Sequence, residues 1–480
     1  MDLKDKIISA TKWSAITELA SKLITPISTM ALARILTPED FGVLVTAMMI
    51  IGFAEIFTDA GFHKYLIQHE FVSDEEKNKS ITVAFWSNFC FSVIIWAVIC
   101  FFSSQIAVLV GCRGKGVVIV VSCACIPLAA FSSIQSAIFK RAFDFKTLFY
   151  VRLIGIMIPL VVTIPLALLT RSYWALIVGM VLLNLLNAII LTIRSPWKPS
   201  FFYNWKCLKE MISFSLWSML ESISIWLTNY IDMFIVGVLL NQYFLGIYRT
   251  SMSTVGQITS IITSATTPVL FSTLSRLQNN DKEFLSLFFK FQKIVGIFVI
   301  PIGIGVFIFR NFVVKILLGN QWTEAAYFVG IWGLTSSITI VLSHYCSEIY
   351  RSKGKPKLSV LAQILHIVVL TPVVYHFAVG PFETLCTARA LVRMELIMVN
   401  LAILYSLVKI NPLKMVVNVF PSIISACCML PVMFLCSSNN FAVNIGCFIL
   451  CFIIYFVVLS FFPEERFLIK KIVKNRRIIL

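Results

Sequence analysis

The stretch Phe441–Phe462, FAVNIGCFILCFIIYFVVLSFF, runs for twenty-two residues without a charge, and Ile81–Ser103, ITVAFWSNFCFSVIIWAVICFFS, does the same for twenty-three. A helix rises about 1.5 Å per residue, so either run crosses the ~30 Å hydrocarbon core of a bilayer. Working outward, twelve further apolar runs of similar length follow one another from residue 9 onward, giving about fourteen spans in all. The composition agrees with the pattern. Hydrophobic residues make up 59% of the 480-residue chain and charged residues only 13%, with a mean hydropathy of +0.91. Soluble domains carry about 25% charged residues, so the solvent of this chain is lipid. The expected fold class is an all-α polytopic membrane protein of about 14 transmembrane helices.

The charges set the topology. An even number of spans puts both termini on one side. Of the 40 Lys and Arg residues, 30 fall in the connectors and tails of that side and seven on the other. Short basic connectors face the cytoplasm, which predicts a multi-pass protein of a bacterial cytoplasmic membrane with both termini inside. The formal charge of +17 is spread over these connectors rather than gathered on one face, so nucleic acid is not an expected partner. The N-terminal MDLKDKIISATKW enters the first span with no small-residue cleavage site, and no cleavable signal peptide is expected. Most of the 13 cysteines sit inside apolar runs, Cys123, Cys125, Cys447 and Cys451 among them, and none forms a CxxC. They are expected to be small apolar fillers, with no metal centre and no disulfide framework.

The chain also repeats itself. Trp13-Ser14 recurs as Trp217-Ser218 and Phe41-Gly42 as Leu245-Gly246, both 204 residues on. Ile106–Gly111 recurs as Val314–Gly319, and Ser136–Lys140 as Ser347–Arg351, at offsets of 208 and 211. The slow drift is what small loop insertions produce. The expected organisation is an N-terminal six-helix lobe over 1–200, a second over 201–410, and two extra helices with a basic tail over 411–480. Six is even, so the lobes enter the membrane in the same direction, as parallel repeats that commonly enclose a midplane cavity. Trp197–Glu210 is expected to be an interfacial link between them.

Several motifs then point to a family. Ala33-Arg34-Ile35-Leu36-Thr37-Pro38-Glu39-Asp40-Phe41-Gly42 resembles the LAR-x-L-x-x-x-x-FG signature of bacterial polysaccharide repeat-unit flippases, and Phe57-Thr58-Asp59-Ala60-Gly61 their F-x-D-x-G. Asn229–Asp232 and Leu245–Tyr248 are similar to the N-x-x-D and LG-x-Y pattern, and Gly319–Trp322 and Lys353–Pro356 to the G-x-x-W and G-K-x-K loops. The likeness spans nearly 400 residues and is closest to the Wzx and colanic-acid exporter branch of the multidrug/oligosaccharidyl-lipid/polysaccharide exporter superfamily. It implies that fold, and it implies the movement of undecaprenyl-diphosphate-linked oligosaccharides between leaflets for O-antigen, capsule or exopolysaccharide synthesis. A glycan polymerase partner is implied by the resemblance only.

Ionisable groups inside spans cost about 2.5–3.5 kcal/mol each on insertion scales and face a cavity or a partner. Arg389 and Arg393 lie four apart on one helix face, where two like charges ask for an anion; guanidinium binds a diphosphate bidentately. Pairing with a neighbouring carboxylate such as Glu348 is the competing reading, and Glu395 lies two residues beyond. Lys22 either faces the substrate or neutralises Glu18 on its own helix. Arg34 and Arg249, near the outer span ends, either gate the outer mouth or anchor their helices at the interface. Glu55 and Asp59 form an acidic i,i+4 pair that suits proton or cation coupling, unless Asp59 pairs with Lys64. Asp232 and Glu221 on the seventh span are further coupling candidates, Asp232 competing with a role as a hydrogen-bonded hub.

No phosphate loop exists, since Gly111–Gly116 is too short, and no Ser/His/Asp set or metal-spaced cluster is credible, so neither an enzyme nor a cofactor is expected. A membrane-embedded glycan polymerase is the less favoured alternative, because that class usually needs a substantial outer loop and the outer connectors here run to about a dozen residues. An ion-coupled drug exporter of the same fold remains the main alternative, with Lys22, Arg389 and Arg393 weighing against it.

Overall fold

The computed structural model describes residues 3–59, 61–436 and 440–473; the side chains of 3–8, 213–218, 220, 221, 407, 408, 472 and 473 fall outside that description. Fourteen long helices follow in order: α1 Leu3–Ile35, α2 Pro38–Asp59, α3 Asp74–Phe101, α4 Gly116–Arg141, α5 Phe145–Thr170, α6 Trp174–Arg194 and α7 Trp205–Leu239. They continue as α8 Gln242–Arg276, α9 Asp281–Ile308, α10 Ala325–Ser352, α11 Lys357–Phe377, α12 Phe382–Ile403, α13 Pro412–Leu435 and α14 Phe441–Leu459. Among the described residues, twelve of these are long and apolar enough to cross a membrane. The other two, α1 and α12, have the length, at 33 and 22 residues, but carry the charges that the sequence places inside spans. The protein is a multi-pass, all-helical membrane protein.

Helix starts follow from side chains that satisfy the free N–H groups of the first turn. The Ser73 hydroxyl accepts from Glu76 N at 3.1 Å to begin α3, Asp144 from Thr147 N at 3.0 Å to begin α5, and Asn440 from Ala442 N at 3.1 Å to begin α14. Asn204 accepts from Lys206 N at 2.9 Å and starts α7 at Trp205. The link expected over Trp197–Glu210 is therefore shorter, because this cap nucleates helix six residues before the expected end. Residues Pro463–Val473, expected as part of a basic tail, form a helix tied to α9, with Lys293 pairing with Glu464 and, at 3.3 Å, with Glu465.

The chain divides into two compact units, Met1–Gly246 and Ile247–Leu480, the boundary falling within α8. In the first unit α1 packs on α5, α4 lies between α3 and α6, and α7 runs along α2. The first turns of α2 and α8 cross within this unit at close range. A Cβ on Gly42 would lie 1.8 Å from Gln242 O, and a Cβ on Gly246 would lie 1.8 Å from Pro38 O. Only glycine permits either approach. Pro38 and Gln242 are 204 residues apart, as are Gly42 and Gly246, so the contact is reciprocal, the signature of a local two-fold relation. Gln242 adds hydrogen bonds, accepting from the Thr46 hydroxyl at 2.8 Å and donating to Gly111 O at 3.1 Å. In the second unit α9 sits between α10 and α13, and α12 between α10 and α11. A buried apolar core including Phe288, Ile300, Tyr345 and Tyr350 fills it.

Candidate functional site

The second unit gathers the two arginines of α12 on one aromatic ring. Their spacing of four puts them one turn apart on a single face, and that face meets α10. Arg389 and Arg393 carry their guanidinium carbons 4.9 and 4.2 Å from the centre of the Trp332 ring. Arg393 Nη1 also donates to the Ser336 hydroxyl at 2.5 Å. An indole face attracts cations through its quadrupole, most strongly where water is excluded, and Trp332 and Ser336 are buried. The ring thus holds two like charges side by side without neutralising either. Glu348, the expected neighbour carboxylate, pairs instead with Arg351 at 3.3 Å. Glu395 accepts from His366 Nδ1 on α11 at 2.9 Å. Among the described residues no carboxylate pairs with Arg393.

The first unit holds the acidic counterpart. Glu55 and Asp59, one turn apart at the end of α2, line a cavity of about 380 Å³ together with His63, Asn88, Ser133 and Ser222. Asn88 is buried; its Nδ2 donates to the Ser133 hydroxyl at 2.8 Å, while its Oδ1 meets no hydrogen-bond partner among the described residues. At the mouth His63 N donates to Asp59 Oδ1 at 3.4 Å, and the Lys140 ammonium donates to His63 Nε2 at 3.3 Å. An ammonium has only donors, so that imidazole nitrogen is unprotonated. Burial holds the His63 pKa below its ordinary value; Asp59 opposes this, and Lys140 and Lys64 add to it.

The remaining expected residues are placed separately. Lys22 lies 3.6 Å from Glu18, within its own helix. Arg34 is exposed in the last turn of α1, and Arg249 is half-buried near the start of α8. Asp232 is buried and accepts from Met233 N at 2.8 Å, and it does not line the acidic cavity. Glu221 lies outside the described side chains. Sequence reasoning left out Trp332, His366, Asn88, His63 and Lys140. Of these only His63 carried a legible signal, since it continues the four-residue spacing of Glu55 and Asp59.

Among known proteins, the chain is 24% identical over 382 residues to an uncharacterized membrane protein in the cps region of Klebsiella pneumoniae, covering 78% of this chain and 77% of that one. It is 21% identical over 326 residues to the succinoglycan biosynthesis transport protein ExoT of Rhizobium meliloti, covering 68% of this chain and 65% of that one. The fold matches the lipid II flippase MurJ in its inward closed conformation with a TM-score of 0.76 and 14% identity, over 94% of this chain and 99% of that one. The family described as "Polysaccharide biosynthesis protein" matches residues 31–327, more than half of the sequence, and the chain belongs to that family.

Proposed function

We propose that this protein is a secondary transporter that flips undecaprenyl-diphosphate-linked oligosaccharide repeat units across the cytoplasmic membrane. Both termini lie in the cytoplasm, and the repeats expected over 1–200 and 201–410 exchange access between the two sides. The observation that carries the reading is the pair of guanidiniums on Trp332. A half-buried Arg393 with aromatic and hydroxyl neighbours, and no carboxylate among the described residues, holds a cation where only an anion would balance it. A drug exporter for cations has no use for such a charge, whereas a diphosphate has two anionic groups to offer it. The succinoglycan transport protein among the relatives supports a glycan substrate. Arg34, Arg249 and Lys22 are accessory contacts in this reading, with Lys22 exchanging Glu18 for the headgroup.

The acidic cavity is the coupling site. Glu55 and Asp59 supply charge, and Asn88 Oδ1 supplies an acceptor that a proton carrier or a sodium ion can use. Asp232 and Glu221 are proposed to join them during the cycle. The test is a strain lacking this gene but retaining the first sugar transferase, with the leaflet of its lipid-linked oligosaccharides read by a membrane-impermeant glycan probe. Single repeat units should accumulate inside and be released by the wild type, but not by Arg389→Ala with Arg393→Ala. Rescue by that double variant removes the binding residues from the proposal. Single units reaching the outer face of the deletion strain remove the flippase itself.

A further inference from the structure

The first unit also contains a basic pocket that shares no lining residue with the acidic cavity and that no step of the proposed transport uses. It has a volume of about 520 Å³ and lies where the helix Phe62–Gln68, the start of α3, the end of α4 and the link after α6 meet. Lys77, Arg141 and Lys198 line it together with the apolar Phe71, Ile81 and Trp197, and among the described residues no Asp or Glu lines it.

The partners of these cations decide what the pocket offers. Arg141 Nη1 donates to three main-chain carbonyls, Leu66 O at 2.8 Å, Ile67 O at 3.3 Å and His69 O at 2.7 Å, and its guanidinium lies 4.8 Å from the Phe71 ring centre. The Lys198 ammonium donates to Thr192 O and, at 3.1 Å, to Ile193 O at the end of α6. Carbonyls orient a cation without cancelling its charge. Among the described residues only Lys77 of the three has a carboxylate partner, Asp74, and that side chain is 88% exposed. Two of the three charges are therefore fixed in place and uncompensated.

The surroundings set the depth. Trp197 in the pocket wall packs on Phe85 at 5.4 Å, and the adjacent Trp86 donates to Ser200 O at 2.8 Å and stacks on Phe201 at 5.5 Å. Phe201 and Trp205 stand out from the protein, 98% and 70% exposed. Exposed aromatics of this kind sit at the headgroup level of a bilayer, and basic pockets between membrane helices at that level take anionic headgroups. We propose that this pocket binds the phosphate headgroup of an anionic membrane phospholipid, with its acyl chains running down the lipid-facing surface and Lys77 exchanging Asp74 for the phosphate.

The same phosphate chemistry could come from the leaflet or from a polyprenyl diphosphate, and the leaflet phospholipid is the source proposed. The full-length protein is purified in a neutral maltoside detergent, and its retained lipids are identified and counted by mass spectrometry. Thermal stability is then compared in nanodiscs of phosphatidylcholine alone and of phosphatidylcholine with a quarter phosphatidylglycerol. The wild type should retain anionic phospholipid and be stabilised by phosphatidylglycerol. Lys77→Gln with Lys198→Gln should weaken retention about 30-fold, taking about one kcal/mol per basic residue near a charged surface. Lys77→Arg with Lys198→Arg should keep it, which separates loss of charge from loss of the α6 terminus. Unchanged retention in the Gln pair, equal stabilisation by both nanodiscs, loss in the Arg pair, or a retained polyprenyl diphosphate in place of phospholipid would each overturn the assignment.

Discussion

Gly42→Ala puts a methyl group where a carbonyl oxygen already stands. The new Cβ would lie 1.8 Å from Gln242 O and 2.6 Å from its carbonyl carbon, whereas ordinary contact begins at 3.4 Å. The first turns of α2 and α8 must then part by about 1.6 Å, the difference between 3.4 and 1.8 Å. A main-chain carbonyl cannot swing aside as a flexible side chain would. Overpacking of this kind costs about 1–3 kcal/mol, and the Thr46–Gln242 and Gln242–Gly111 hydrogen bonds, each worth about 1 kcal/mol, stretch with it. The expected loss is about 3–5 kcal/mol. Gly246→Ala should cost as much, since its Cβ would meet Pro38 O at the same 1.8 Å. The double variant should cost well under the sum, because helices already parted by one methyl admit the second. Gly52→Ala, also on α2, is the control: among the described residues its Cβ meets nothing nearer than Trp226 Cδ1 at 3.6 Å. The assay is reversible unfolding in mixed micelles by titration with sodium dodecyl sulfate. If Gly42→Ala unfolds with Gly52→Ala, or if the two crossing variants add in full, the crossing does not have the tightness assigned to it.

Three further outcomes follow from other parts of the molecule. Trp332→Leu keeps an apolar wall but removes the ring that holds Arg389 and Arg393; flipping should fall by about 30-fold, the ~2 kcal/mol of one cation–π contact in a desolvated site, while Trp332→Phe retains part of it. His63→Gln should flatten one limb of the stability–pH curve: a histidine whose pKa is lowered on folding binds more protons unfolded, so stability falls as pH drops from about 6.5 towards the lowered folded value, and the Gln variant should lack that decline in a thermal scan. Gly305→Ala on α9 has no heavy atom within 4 Å of the new methyl among the described residues, and it should raise stability by about 0.5–1 kcal/mol in the detergent titration.

The helices and the acidic pair were legible because both depend on spacing along the chain. Charge-free runs mark spans, and residues four apart share a face, so spacing alone pairs Glu55 with Asp59 and Arg389 with Arg393. The partner across the interface could not be read this way. Arg393 stacks on a tryptophan 61 residues earlier, His366 takes Glu395 from 29 residues away, and Asn88 reaches Ser133 across 45. Helical periodicity tells which side chains look the same way, but not which helix they look at. The rejected Glu348 partnership shows the same limit, since a carboxylate on the neighbouring helix α10 was available and Arg351, one turn along its own helix, took it. The crossing at Gly42 and Gly246 is the exception, because a repeat carries information between distant parts of the sequence. Two motifs 204 residues apart turn out to touch.

That crossing is symmetric in backbone but not in chemistry. On one flank Gln242 is fastened at both ends of its amide, to Thr46 and to Gly111. On the other flank its counterpart is Pro38, whose ring has no group to fasten with. A seam stitched along one edge and merely pressed together along the other does not separate as two plates lifted apart. On this geometry any parting of the two first turns would begin at Pro38 and be held longest at the amide of Gln242.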